Sequence, residues 1–190
     1  SYVDDKYLLY KSNDNEENFD VFVFARRDIN EITIPSNIKR ISSYSFDSCD
    51  QINEIEFSPN SKLEIIEDYS FYKSSLTIIA IPDSVTQIGD RAFYECLYLK
   101  TVKFTKFSKL EKINTDTFYN PSIEDIFIPP NVTHIGERAF YSCKKLKTIS
   151  IPSDSKLKII DKNAFSSSSI ENISLPSSLI HICENAFSNT

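Results

Sequence analysis

Glycine is scarce in this chain, with two glycines among 190 residues, whereas soluble proteins carry roughly 7%. Its turns must therefore be made with Asn, Asp, Ser and Pro, which support turn geometry through side-chain hydrogen bonds or a fixed φ. The chain also lacks an apolar run of about 18 residues, so no membrane-spanning helix is expected. Its opening letters, SYVDDKYLLY, lack the basic and then apolar segments of a signal peptide, so no signal peptide is expected there.

Basic charge and histidine are also in short supply. The net charge is -6, which repels a phosphate backbone, so nucleic acid is not an expected partner. The sequence contains two histidines and no P-loop, Gly-rich dinucleotide fingerprint or nucleophile elbow. We therefore expect no enzymatic activity and no cofactor.

An internal repeat dominates what is present. The pattern apolar-x-x-apolar-x-apolar begins at positions spaced alternately by 23 and 24 residues, so one pair of units spans 47 residues. These seven starts are Ile29, Ile52, Leu76, Leu99, Ile123, Leu146 and Ile170. The last unit is incomplete. The pattern predicts a strand whose first, fourth and sixth residues point inward, while the third and fifth point outward.

A second register repeats with the same period, because each unit carries an Ile followed five residues later by a Phe. The phenylalanines are Phe46, Phe71, Phe93, Phe118, Phe140, Phe165 and Phe187. Around one of them, Val85, Ile88, Ala92, Phe93 and Cys96 have the spacing of a short helical turn with one buried face. Stacked units therefore predict a solenoid, with a parallel β-sheet on the concave face and short helical turns on the convex face.

Residues 1–28 do not fit the repeat register. The segments KYLLYK and FDVFVFAR predict two strands, joined by the polar loop SNDNEEN. Because the terminal unit of a solenoid needs a cover for its apolar face, we expect residues 1–28 to form a β-hairpin cap. Residues 29–190 then form the seven repeats.

The motif IP-x-x-V-x-x-I-G-x-x-A-F-x-x-C-x-x-L, at residues 81–99 and again at 128–146, resembles the BspA-like leucine-rich repeat family. That family is known from surface antigens of anaerobic bacteria and from parasitic protists such as trichomonads. The resemblance implies a non-catalytic, protein-binding leucine-rich-repeat solenoid at the cell surface or secreted. Its expected role is cell adhesion to a host cell surface or an extracellular matrix protein. The alternative is a cytoplasmic scaffold for protein–protein interaction.

The outward strand positions can vary without harming the core, so partner-binding residues are expected among them. Ile78, Ala80 and Phe127 are apolar on a face that is otherwise polar. With their charged neighbours they form the predicted concave binding surface: Glu54, Glu56, Ile78, Ala80, Lys103, Asp125 and Phe127. The alternative is that these apolar residues are ordinary scattered surface hydrophobes.

A second candidate surface lies on the convex side, where a Tyr follows the Phe in four successive units. These residues are Tyr72, Tyr94, Tyr119 and Tyr141. Tyrosine is a frequent interface anchor. The alternative is that the rings pack on one another and stiffen the stack.

Cysteine and histidine recur in fixed repeat slots. Cys49, Cys96 and Cys143 occupy alternate units, at least about 9.6 Å apart, which is too far for a disulfide. Buried free thiols are therefore expected, whereas Cys183 is either an inert small residue or a reactive or intermolecular thiol. His134 and His181 are also two units apart and cannot share a metal ion, so no metal site is expected.

The incomplete last unit leaves the strand at Ile170 as an open edge. Unpaired strand edges recruit further strands. The sequence therefore predicts either further repeats downstream or edge-to-edge self-association.

Overall fold

The computed structural model describes residues 2–13, 18–119 and 121–190, and short β-strands recur along these ranges. They are β1 (Tyr2–Val3), β2 (Tyr7–Tyr10), β3 (Val21–Ala25), β4 (Glu31–Ile34), β5 (Arg40–Ile41), β6 (Glu54–Phe57), β7 (Ile65–Ile66), β8 (Ile78–Ala80), β9 (Gln87–Ile88), β10 (Thr101–Lys103), β11 (Lys112–Ile113), β12 (Asp125–Phe127), β13 (His134–Ile135), β14 (Thr148–Ser150), β15 (Ile159–Ile160), β16 (Asn172–Ile173) and β17 (His181–Ile182). Each repeat contributes two strands, so the chain is a parallel-strand β-solenoid of about seven coils.

The even-numbered strands from β4 to β16 form one side of the solenoid, here called the first sheet. They pair in parallel as two hydrogen-bonded groups, β4-β6-β8-β10 and β12-β14-β16. Paired residues occupy the same repeat position, as with Ile55 beside Ile79 and Ile126 beside Ile149. The coils therefore stack in register, and residues at equal repeat positions form straight rows along the stack.

The odd-numbered strands from β3 to β17 form the second sheet. It also consists of two groups, β3-β5-β7-β9 and β11-β13-β15-β17. The N-terminal strand β2 pairs antiparallel with β3, and β3 pairs in parallel with β5. The predicted loop of the hairpin spans residues 12–18, of which residues 14–17 lie outside the described part. Strand β3 thus continues the second sheet by one rung before the first coil.

The third side of each coil, here called the turn limb, follows the second-sheet strand. The sequence predicted short helical turns there, and that prediction is wrong: the described residues form no helix. The predicted apolar face is nevertheless buried, since Ala92, Phe93 and Cys96 are inaccessible to solvent.

Two features of the backbone prevent helix formation in the turn limb. Arg91 and Glu95 have positive φ values of 56° and 55°, in the left-handed region, and a pair four residues apart recurs in five other coils, as at Tyr69 and Lys73. Alternate backbone N–H groups also point along the stack: Phe71 donates to the carbonyl of Ala92, and Phe93 donates to that of Thr117. These donors therefore link neighbouring coils, whereas an α-helix would use them within one turn.

A ladder of phenylalanine rings fills the core beneath the turn limb. Phe46, Phe71, Phe93, Phe118, Phe140 and Phe165 have no solvent exposure, and successive rings stack at centroid distances of 4.8 to 5.3 Å. Phe22 of β3 extends the ladder, with its ring 4.9 Å from that of Phe46. The N-terminal strands therefore cover the apolar end of the first coil.

Neither glycine has a positive φ, so backbone conformation does not require glycine at either position. Both glycines instead allow close packing between coils. A Cβ at Gly89 would lie 2.3 Å from Asp68 Oδ1 and 2.5 Å from its backbone N. At Gly136 the nearest atom would be the carbonyl carbon of Asn114, at 2.9 Å. Each glycine thus admits the backbone of the preceding coil at short range, and Gly89 does so more tightly.

The two ends of the stack differ in exposure. At the C-terminal coil, Ile180 is 77% exposed and Ile182 is 42% exposed. Ile160, which pairs with Ile182 in the preceding coil, is fully buried. This end presents apolar side chains and the free edges of β16 and β17. Within the described ranges, no helix has the length and apolar character to cross a membrane.

Candidate functional site

The outward residues of the first sheet form two rows along the stack. In one row Glu54 lies beside Ile78, and Ile78 lies beside Thr101. In the other row Thr33 pairs with Glu56, Ala80 pairs with Lys103, and Phe127 pairs with Ser150. The predicted binding residues therefore share one face, in four consecutive coils.

Their exposure is uneven. Glu54, Glu56, Ala80, Lys103 and Asp125 are exposed. Ile78 and Phe127 are half-buried, and Phe127 packs against the hydrophobic core. The face is consequently more polar than its sequence indicates, because its two large apolar side chains are partly covered.

An open groove of about 570 Å³ crosses this face from the second to the fourth coil. Its lining combines carboxylates with apolar groups, and includes Glu54, Glu56, Phe57, Ala80, Pro82 and Asp83. The groove exists because Ala80 occupies a position filled by Glu56 on one side and Lys103 on the other. A methyl group between two long side chains leaves a depression.

Three exposed apolar residues near this face were not selected from the sequence. Leu97 and Tyr98, at 49% and 62% exposure, precede the first-sheet strand of the fourth coil, and Phe107, at 69%, follows it. The first and fifth coils carry Asp50-Gln51 and Lys144-Lys145 where the third carries Leu97-Tyr98. A comparison of these slots could have found the signal.

The four tyrosines of the turn limb form a second ladder on its outer side. Tyr72, Tyr94, Tyr119 and Tyr141 are all half-buried, and successive ring centroids are 5.9, 4.4 and 5.2 Å apart. Burial, followed by interaction with Tyr119 and nearby acids, raises the pKa of Tyr94. Because each ring covers the face of its neighbour, the ladder contributes to stacking of the coils.

Beside the tyrosines lies an ion-pair row that sequence reasoning missed. Arg91, Asp116 and Arg138 each stand three residues after the Ile of the second sheet, in consecutive coils. The Asp116 side chain is 2% exposed and accepts from both guanidinium groups: Arg138 Nε donates at 2.9 Å and Arg91 Nε at 3.1 Å. Arg91 Nη1 also donates to the Tyr69 hydroxyl at 2.9 Å. The alternating charges at one repeat position were the available signal.

A model of the BspA-type leucine-rich repeat region matches residues 17–110 and 64–190, in six copies. The chain belongs to this family. The match begins at residue 17 and so includes strand β3. None of the curated proteins matches the sequence.

Solved structures support the same leucine-rich repeat fold. A leucine-rich repeat protein from Eubacterium ventriosum ATCC 27560 has a TM-score of 0.77 and 29% identity, over 84% of this chain and 42% of that one. A leucine-rich repeat protein from T. pallidum has a TM-score of 0.69 and 21% identity, over 87% of this chain and 73% of that one. This BspA-type chain thus spans less than half the length of the Eubacterium protein.

The cysteines of this BspA-type solenoid are unpaired, as expected for alternate coils. Cys49, Cys96 and Cys143 are buried free thiols, and Cys183 is a half-buried one. The Cys96 sulfur lies 2.9 Å from the carbonyl oxygen of Phe71, and burial raises the pKa of Cys96 to about 12. These three core thiols therefore act as small apolar side chains.

Cys183 belongs to a polar cluster on the second sheet. His134 Nε2 lies 3.2 Å from Asp161 Oδ2, and the nearby Cys183 thiol helps to lower the pKa of Asp161. Burial and then the Asp161 carboxylate raise the pKa of Cys183, which opposes formation of the nucleophilic thiolate. The pairing order β13-β15-β17 places Ile159 between His134 and His181. Among the residues that the structure covers, no group of three or more His, Cys, Asp or Glu could hold a metal ion.

Proposed function

We propose that this BspA-type solenoid binds a protein partner on the outward face of its first sheet. The observation that carries the proposal is the change in side-chain chemistry along the two outward rows. The rows pass from Glu54 and Glu56, through Ile78 and Ala80, to Lys103 and Phe127. Inward positions meanwhile repeat the same apolar residues in coil after coil. Variation confined to an exposed face is expected of a recognition surface carried by a constant scaffold.

The wider role that we propose is that of a cell-surface or secreted adhesin or antigen, which binds host cells or an extracellular matrix protein without catalysis. Family membership supports this role, since BspA-type repeats resemble those of surface antigens. Protease treatment and surface labelling of intact cells test the location. Recovery of the protein solely in the cytosolic fraction would support the alternative, a cytoplasmic scaffold built from the same repeats.

The binding test compares two variants against a panel of purified matrix proteins. Phe127→Ala combined with Ile78→Ser removes the large apolar groups of the first-sheet face, and should weaken binding by tenfold or more, roughly the effect of losing one interface anchor. The matched control replaces the four ladder tyrosines by Ser on the turn limb. That control should lower the melting temperature and leave partner specificity intact.

The opposite pattern, in which the tyrosine variant loses binding and the first-sheet variant keeps it, would move the site to the turn limb. Unchanged binding by both variants to an identified partner would refute a role for either surface.

A further inference from the structure

We propose that the groove above Ala80 receives a lysine or arginine side chain of the protein partner; this proposal rests on the proposed function of the first-sheet face. The groove is shaped for an elongated group with an apolar stem. Ala80 forms the low point, and Phe57 and Pro82 line it beside the charged rim. A lysine or arginine stem packs on such apolar surface while its charged end stays near water and carboxylates.

Charge complementarity selects a cation for this groove. Glu54, Glu56 and Asp83 all line it, and in the described residues Glu54 and Glu56 form no ion pair with a Lys or Arg. Their existing contacts are weak or partial. Glu56 Oε2 lies 3.5 Å from the Thr33 hydroxyl, and Asp83 Oδ1 accepts from Thr105 at 2.6 Å. Acceptor positions therefore remain for an ammonium or guanidinium group, whose hydrogen bonds to carboxylates are stronger than neutral ones.

Lys103, in the same outward row as Glu56 and Ala80, determines the orientation of a bound partner segment. Lys103 is on the strand after Ala80, and so two strands after Glu56. Neighbouring strands are about 4.8 Å apart, so opposite charges face a partner about 10 Å apart along the stack. Suppose that an extended partner segment places a basic residue over Glu56. An acidic residue about three positions further along that segment would then lie over Lys103 and could pair with it. A segment with two basic residues at that spacing would be repelled by Lys103.

The test uses a synthetic Gly/Ser peptide that carries one Lys and, three positions later, one Glu. Titrated into isotopically labelled protein, it should shift the amide resonances of Ala80 and its neighbours in a saturable way. Glu54→Gln combined with Glu56→Gln should weaken binding by about two- to thirtyfold, the range for losing two exposed ion pairs. A peptide with norleucine in place of Lys should bind no better to the native protein than to this variant.

The matched control is Glu64→Gln combined with Glu111→Gln, because both residues are exposed, lie outside the first sheet and change the net charge equally. If the control variant weakens peptide binding equally, the binding reflects general attraction to an acidic protein, and the groove assignment is overturned. Peptide binding unchanged in the Glu54/Glu56 variant would also overturn it.

The same variants separate this inference from the proposed function. If Phe127→Ala with Ile78→Ser weakens an identified protein partner, while the Glu54/Glu56 variant binds both partner and peptide normally, the first-sheet face remains the site. The basic-residue assignment then fails on its own.

Discussion

Replacement of Phe118 by Ala should destabilise the solenoid more than any substitution at its ends. The Phe118 ring is fully buried, and it stacks between the rings of Phe93 at 5.2 Å and Phe140 at 5.3 Å. Truncation of a buried Phe costs about 3–5 kcal/mol through lost burial and the cavity left behind. We expect the upper part of that range, because two ring contacts are lost and the inter-coil hydrogen bonds on either side resist collapse.

The matched control is Phe187→Ala at the last rung of the same ladder. Phe187 is half-buried and has a single described ring neighbour, Phe165 at 5.3 Å. Its replacement should cost less than half as much as that of Phe118. Equilibrium urea unfolding, followed by far-ultraviolet circular dichroism, gives both free energies if the m-values agree. A loss under about 1 kcal/mol for Phe118→Ala, or equal losses for both variants, would refute the ladder as the main source of stability.

Three further predictions concern the ion-pair row, the glycines and the exposed thiol. Asp116→Asn should cost about 1–2 kcal/mol in urea unfolding, because it leaves two arginines without their carboxylate, although their partial exposure limits the loss. Gly89→Ala should cost about 1–3 kcal/mol and Gly136→Ala less, because the added Cβ clashes more severely at Gly89. Asp161→Asn should accelerate the reaction of Cys183 with a disulfide reagent at pH 8, because it removes a carboxylate that raises the pKa of the thiol.

Each of these predictions has an internal comparison. For the ion-pair row the control is Asp154→Asn, at an exposed carboxylate with no described ion pair; equal losses would show that the row adds nothing. For the glycines, a larger loss at Gly136 would contradict the close-approach argument. For the thiol, Cys96 and Cys143 should stay unreactive in folded protein, and a rate unaffected by Asp161→Asn would remove Asp161 as the cause.

Asp161 also links stability to pH. Burial alone would raise its pKa, but the Lys162 amide and the His134 and Cys183 side chains more than offset this, so its pKa lies below the usual value. A carboxylate with a lowered folded-state pKa contributes stability at neutral pH that is lost as the pH falls through that folded pKa. The contribution is modest, because the side chain is more than a third exposed.

The repeat period, the inward strand residues and the phenylalanine ladder were all predictable from the sequence. Each depends on a side chain that returns at a fixed interval, and in-register stacking places that side chain against its equivalents in the neighbouring coils. The turn limb was predicted as helical because Ala92, Phe93 and Cys96 have helical spacing. The same spacing also suits a non-helical turn with two left-handed residues four positions apart, and apolar periodicity alone does not separate the two.

The sequence by itself determined which residues face the core, because a period of 23 and 24 residues allows only one alignment of apolar positions. Only the tertiary structure decided where the turn-limb N–H groups donate, how far the outward side chains are covered and where the groove lies. The groove at Ala80 arises from residues of three different coils, and Phe127 is half-buried because of the coils beside it. These properties depend on contacts between coils, whereas the pattern within one coil specifies only its own inward and outward sides.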